Sequence, residues 1–198
     1  MLFSDWKRYE DPQRWASYYE QVNSVLSFQP KSCLEIGVGN GIVGAALKGQ
    51  GIELITLDID PNLAPDHVAS VESIPLPDNS VDIVLCAEVL EHLPYAQFEK
   101  CLSEISRVCR MGAVISLPHW GYTFRGIIDL PLLKFRFAIK APWSTIIKEG
   151  GVHYWEIGRT HYPLQRITSS MKNAFDIQSE WLSPWMPYHH FFRLNKKR

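Results

Sequence analysis

The chain has 198 residues, 46% of them apolar, and a formal net charge of −1. That is enough for one sizeable core, and the balanced charge offers nothing in bulk to nucleic acid. No apolar run approaches the roughly 20 residues that span a bilayer, and Met1-Leu-Phe-Ser-Asp-Trp-Lys-Arg8 lacks an apolar signal core, so a cytoplasmic protein with no membrane partner is expected.

Trp15, Tyr18, Tyr19, Val22, Val25 and Leu26 recur at helical spacing. They predict an amphipathic helix over 11–28, stopped near Pro30, within an N-terminal helical segment 1–29. A strand at 33–38 and a helix at 41–49 follow, the helix ended by Gly49 and Gly51. Residues 53–59 form a second strand, and 67–71 hold a short one among prolines. Val81 to Ala87 is a continuous apolar strand. A helix over 95–109 puts Phe98, Leu102, Ile105, Val108 and Cys109 on one side, and Gly112 opens a strand over 113–117. Residues 119–162 break the rhythm. Rich in aromatics and basic groups, with a helix-like stretch at 124–139, they read as an insertion covering the site and not as a second domain. A helix at 163–174 and strands at 175–182 and 188–194, spaced for a hairpin, complete a single domain over 1–198.

Alternating strands and helices predict an α/β fold with a largely parallel sheet and helices on both faces. Ligands then bind beyond the carboxyl ends of the strands. The most informative stretch lies there: Ser32-Cys-Leu-Glu-Ile-Gly-Val-Gly-Asn-Gly41. Gly37, Gly39 and Gly41 let a ligand lie against bare backbone, and the following helix offers free N–H groups and partial positive charge. Asp58 ends the second strand, 17 residues after Gly41, where a carboxylate can accept ribose hydroxyls; Asp60 competes for that role. Gly39-Asn-Gly41-Ile-Val-Gly44 also matches a dinucleotide fingerprint, but the loop already begins at Gly37, two residues after Glu35, which suits a cationic cofactor better. Four cysteines without C-x-x-C spacing argue against disulfides or a cysteine zinc site.

Glu35-Ile-Gly-Val-Gly-Asn-Gly41, Leu57-Asp-Ile-Asp60, Ser73-Ile-Pro-Leu-Pro-Asp78 and Asp82-Ile-Val-Leu-Cys-Ala-Glu-Val-Leu-Glu-His-Leu93 together resemble the class I S-adenosylmethionine-dependent methyltransferases, in their small-molecule, methyltransferase-11-like branch. The resemblance covers 30–118 closely and the final hairpin loosely. It implies a Rossmann-like, largely parallel seven-stranded sheet with a C-terminal antiparallel hairpin. It further implies that Glu35, Gly37, Gly39 and Gly41 face the methionine half of the cofactor, that Asp58 holds the ribose, and that Ile59 packs on adenine. Ser70 stands where the family often has an acid, so Val71 would contact adenine through its backbone. Cys86, Ala87 and Glu88 would lie beside the sulfonium, and His92 reads as a packing or capping residue.

The expected activity is methyl transfer from S-adenosylmethionine to a small or medium polar metabolite, with S-adenosylhomocysteine as product. An NAD-dependent oxidoreductase on a similar sheet and a non-catalytic cofactor-binding module are the alternatives. His119 and His153 in the insertion are the candidate catalytic bases. A metal site from His119, His153, Glu156 and His161 fits no ligand signature, so no metal is expected. The partner expected is a small-molecule acceptor; the oligomeric state and the acceptor atom are not encoded in any motif.

Overall fold

The computed structural model describes residues 11–141, 143, 145, 146 and 151–197. The first ten residues of the N-terminal segment, positions 142, 144 and 147–150 of the insertion, and Arg198 of the basic tail lie outside the described residues.

The elements are α1 (Pro12–Leu26), β1 (Ser32–Ile36), α2 (Ile42–Gly49), β2 (Glu53–Asp58), β3 (His67–Val68), β4 (Val81–Ala87), α3 (Phe98–Val108), β5 (Cys109–Pro118), β6 (Tyr122–Leu130), β7 (Leu133–Ala141), α4 (Leu164–Ala174), β8 (Phe175–Leu182) and β9 (His189–Lys196). Seven strands form one sheet in the order β3-β2-β1-β4-β5-β9-β8. The first five are parallel, β9 runs antiparallel to β5, and β8 antiparallel to β9. The chain winds outward from β1 to β3, then returns to place β4 on the other side of β1. The crevice at β1 and β4 is therefore the topological switch point.

Side chains alternate across the sheet. Leu34, Ile36, Val84 and Cys86 pack with Phe98, Leu102 and Ile105 of α3 and Ile167 and Met171 of α4. Cys33, Ile83, Leu85 and Val114 pack on the opposite face with Val25 of α1 and Val43 and Leu47 of α2. Burial on both faces is why these strands read as continuous apolar runs. Gly112 lies inside β5, not at its start, because a Cβ there would collide with the Leu194 carbonyl of β9.

α1 starts where Asp11 accepts the Arg14 N–H at 2.8 Å and Pro12 presets the first turn. Of the expected face, Val25 is buried and Tyr18, Val22 and Leu26 pack against the core, but polar residues share it. Ser17, Gln21, Ser24 and Val25 point inward, while Trp15 and Tyr19 are exposed. The helix packs where buried polar groups need partners: Ser17 Oγ meets His189 Nδ1 at 2.8 Å, and Ser183 Oγ donates to Glu20 at 3.0 Å.

The helix expected at 124–139 is instead the β6–β7 hairpin, a separate two-stranded sheet. Pro131 falls in the middle of that stretch and would break a helix, and it occupies the turn. From Phe135 to Lys140 apolar residues recur at every second position, with Arg136 and Lys140 between them, which is a strand period. Trp120, Trp155 and Ile157 pin the insertion to the core. Trp155 is fully buried against Phe98 and Tyr95, with ring centroids 5.0 and 5.2 Å away, and its Nε1 donates to the Leu93 carbonyl at 3.0 Å. Ile157 N–H donates to Pro118 O at 2.9 Å, and Trp120 N–H to Ile157 O at 2.8 Å.

Candidate functional site

A cavity of about 480 Å³ opens at the switch point. Its first wall is the turn after β1. Gly37, Gly39 and Gly41 all have positive φ, between 55° and 84°, and no heavy atom lies within 4 Å of where a Cβ would stand at Gly39 or Gly41. Gly37 and Gly39 line the cavity; Gly41 instead ends the turn as N-cap of α2 and is not among the lining residues. Glu35 lines it too, only 4% exposed, and its Oε2 has no hydrogen-bond partner. Burial pushes this carboxyl up to about 7, against the pull of Lys48 and the Gly44 N–H. A Cβ at Gly44 would lie 2.5 Å from Glu35 Oε2, so the last glycine of the fingerprint makes room for this acid.

Asp58 lines the opposite wall and holds the turn in place. Its Oδ2 accepts the Val38 N–H at 2.8 Å and its Oδ1 the Asp60 N–H at 2.9 Å. Asp60 points elsewhere, capping the turn Pro61–Leu63 through the Asn62 N–H. Ile59, 73% exposed, sits at the rim with Leu63, and Ser70 and Val71 complete that end. Arg14, Tyr18 and Gln21 of α1 also line the cavity and were not foreseen as site residues. Their spacing along one helix face was the available signal. Tyr18 Oη accepts from Asn40 Nδ2 at 2.8 Å, which ties α1 to the glycine turn.

At the end of β4, Ala87, Glu88 and Val89 face the cavity. Cys86 does not: it is fully buried on the α3 side of the sheet, as strand alternation requires of the residue before Ala87. Glu88 adopts φ 53°, an uncommon backbone conformation outside glycine. Its Oε1 accepts from Ser116 Oγ at 2.8 Å, and its Oε2 lies 3.6 Å from His189 Nε2. Burial raises Glu88 and lowers His189, favouring the uncharged form of each.

A second cavity, about 560 Å³, lies between the insertion segments and is lined by Trp120, His153, Glu156 and Arg159 among others. Burial favours the neutral form of Glu156, but bonds from Tyr188 at 2.6 Å, His153 at 2.9 Å and Arg159 at 2.8 Å outweigh it and hold its pKa below the usual value. The Arg159 guanidinium also covers the Trp120 ring at 3.6 Å.

His119 is not among the residues lining either cavity. It stacks on His190, Nδ1 to Nδ1 at 2.9 Å, and burial lowers its pKa to about 4 and that of His190 to about 3. Both are neutral in the fold but charge below pH 6.5 once unfolded. Their stabilising contribution is therefore complete above pH 6.5 and is lost as pH falls toward 4. We expect the urea midpoint to fall between pH 7 and 5, and to fall less steeply in His190→Phe; equal slopes would show that this pair does not drive acid sensitivity.

The sheet order, the glycine turn after β1 and the acid at the end of β2 define a Rossmann-like α/β architecture. Residues 34–117 match the family model described as "Methyltransferase domain". A curated relative from Mycobacterium ulcerans, described as an uncharacterized methyltransferase, is 34% identical over 110 residues. That alignment covers 48% of this chain and 42% of the relative, so the chain spans less than half of the length of that relative. Among solved structures, the N-methyltransferase NodS of Bradyrhizobium japonicum WM9, crystallised with S-adenosyl-L-homocysteine, superposes with a TM-score of 0.67 at 11% identity, over 100% of this chain and 94% of its own. The 1,6-didemethyltoxoflavin-N1-methyltransferase of Burkholderia thailandensis superposes with a TM-score of 0.63 at 13% identity, over 98% of this chain and 85% of its own. At these identities the structural likeness concerns the fold.

Proposed function

We propose that this chain binds S-adenosylmethionine in the cavity at the switch point and methylates a small or medium polar metabolite. The observation that carries the reading is the unpartnered Oε2 of buried Glu35, at the glycine turn, in the same cavity as Asp58. A buried carboxylate oxygen without a partner is costly, and a ligand ammonium would satisfy it. Glu35 would hold that ammonium, the bare backbone at Gly37 and Gly39 would let the chain of the ligand pass, and Asp58 would accept ribose hydroxyls. Ile59 and Val71 would flank the adenine, with Ser70 beside them. When bound, the cofactor supplies a methyl group already activated on a sulfonium.

The protein's own task is then alignment in a dry setting. Burial favours the uncharged forms of Glu88 and His189 at the end of β4. The second cavity is the proposed acceptor site, within an insertion over 119–162 of a single domain 1–198. Of the two candidate histidines, His153 lines that cavity and is assigned acceptor contact, while His119, enclosed against His190, is assigned a structural role. An acceptor that is not a nucleic acid is supported by the net charge of −1. A cytoplasmic location is supported by four free, buried cysteines. Among the described residues no helix is long and apolar enough to cross a membrane.

S-Adenosylhomocysteine at a hundred times its dissociation constant should stabilise the protein by about 2.7 kcal/mol, and NAD should not. Thermal shift with both ligands is the test. Stabilisation by NAD alone would replace this reading with the oxidoreductase.

A further inference from the structure

Glu91 and His92 follow β4 in a tight turn, and His153 belongs to the insertion, about 60 residues later. The fold brings the three together: one ligand-capable atom from each lies within 4.8 Å of the others. Glu91 is fully buried, and neither of its carboxylate oxygens has a hydrogen-bond partner. A group of this kind, closed off from water, is held neutral by a proton unless a cation pairs with it.

Each histidine has one ring nitrogen engaged by a neighbour, which leaves the other available. His92 Nδ1 lies 3.0 Å from the Val152 carbonyl oxygen. A carbonyl only accepts, so Nδ1 carries the proton and Nε2 keeps its lone pair; Nε2 is the atom facing Glu91, 4.0 Å from Oε1. His153 Nδ1 lies 2.9 Å from Glu156 Oε1, an oxygen that also accepts from the Tyr188 hydroxyl at 2.6 Å. That carboxylate acts as an acceptor, so His153 too keeps its lone pair on Nε2. A protonated Nδ1 held by a carbonyl or a carboxylate is the arrangement that fixes imidazole ligands for metals. The rings meet edge to face, with centroids 4.9 Å apart.

We propose that Glu91, His92 and His153 form a binding site for a divalent first-row transition-metal ion such as Zn²⁺. Two imidazoles and one carboxylate favour such an ion over calcium or magnesium, and three protein donors leave coordination open for an exogenous oxygen. His92 lines the first cavity and His153 the second, so the ion would sit between a residue of each. If the proposed methyl transfer holds, the open position would receive an oxygen of the acceptor and lower its proton affinity, and His153 would touch the acceptor through the ion. The sequence search for a metal site considered His153 with His119, Glu156 and His161; only His153 belongs to this cluster.

The full chain, stripped with chelator and desalted after addition of Zn²⁺, should retain one equivalent of metal and melt at a higher temperature than the stripped form. His92→Ala, at a partly exposed position, and Glu91→Gln, which preserves shape, should each weaken Zn²⁺ binding at least tenfold. His67→Ala, outside the cluster, should not. Co²⁺ in place of Zn²⁺ should give a d–d absorption band that His153→Ala removes. No stoichiometric uptake by the wild-type chain, or uptake unchanged in folded His92→Ala and Glu91→Gln, would overturn the site. A thermal shift with S-adenosylhomocysteine on the same samples keeps failure of the metal site distinct from failure of the methyltransferase reading.

Discussion

Replacing Trp155 by alanine should destabilise the protein by about 3–5 kcal/mol, the usual cost of removing a large aromatic from a closed core. Its ring is fully enclosed and meets Phe98 and Tyr95 edge to face. Its truncation would also leave the Leu93 carbonyl without the indole N–H it now accepts at 3.0 Å. Since domains are marginally stable, a loss of this size is a large part of the total. Urea unfolding is the measurement, with Tyr154→Ala as control. Tyr154 is exposed and should change stability by no more than about 0.5 kcal/mol. Equal effects at the two positions would mean that the insertion is not anchored through Trp155. The same change should loosen the attachment of the neighbouring His153 and Glu156, so ligand binding in the second cavity should weaken with it.

The second large effect is expected at Glu35, in binding rather than stability. A charge-assisted hydrogen bond is worth about 1.5–3 kcal/mol, so Glu35→Gln should weaken S-adenosylhomocysteine roughly ten- to hundredfold. The pH dependence distinguishes this from a general loss of shape. Burial raises the Glu35 carboxyl to about 7 in the empty cavity, and a cationic ligand needs it ionised. Affinity in the wild type should therefore fall as pH drops below about 7, with proton release on binding, and the Glu35→Gln variant should show no such slope. The sign for the empty protein is opposite. A carboxyl raised above its unfolded value of 4.5 costs stability as pH rises from there through 7, so Glu35→Gln should be at least as stable as wild type at pH 8. Calorimetry at pH 6 and 8 checks both halves. A variant with full affinity and the wild-type slope would remove Glu35 from the site.

The sheet and the glycine turn were legible in the residues alone. Residues 32–36 and 81–87 are mostly apolar, with Ser32, Glu35 and Asp82 as exceptions, because both faces of those strands are covered, and the glycines after β1 stand where the backbone takes positive φ. These are local requirements, and local requirements leave local patterns. Asp58 was legible for the same reason, as the last residue of its strand. The remaining features depend on contacts between distant segments. The stretch 124–139 carried aromatics at spacings that a helix template could absorb, and its pairing as a hairpin follows from Pro131 and the register of Phe135, Phe137 and Ile139. The polar inner face of α1 is set by His189 and Ser183, more than 160 residues away in the chain. The placement of His119 against His190, and of Glu91 and His92 beside His153, likewise brings together residues some 60 to 70 positions apart. No periodicity within either segment encodes such a meeting; it exists because the insertion returns to the end of β5 and buries Trp155 there.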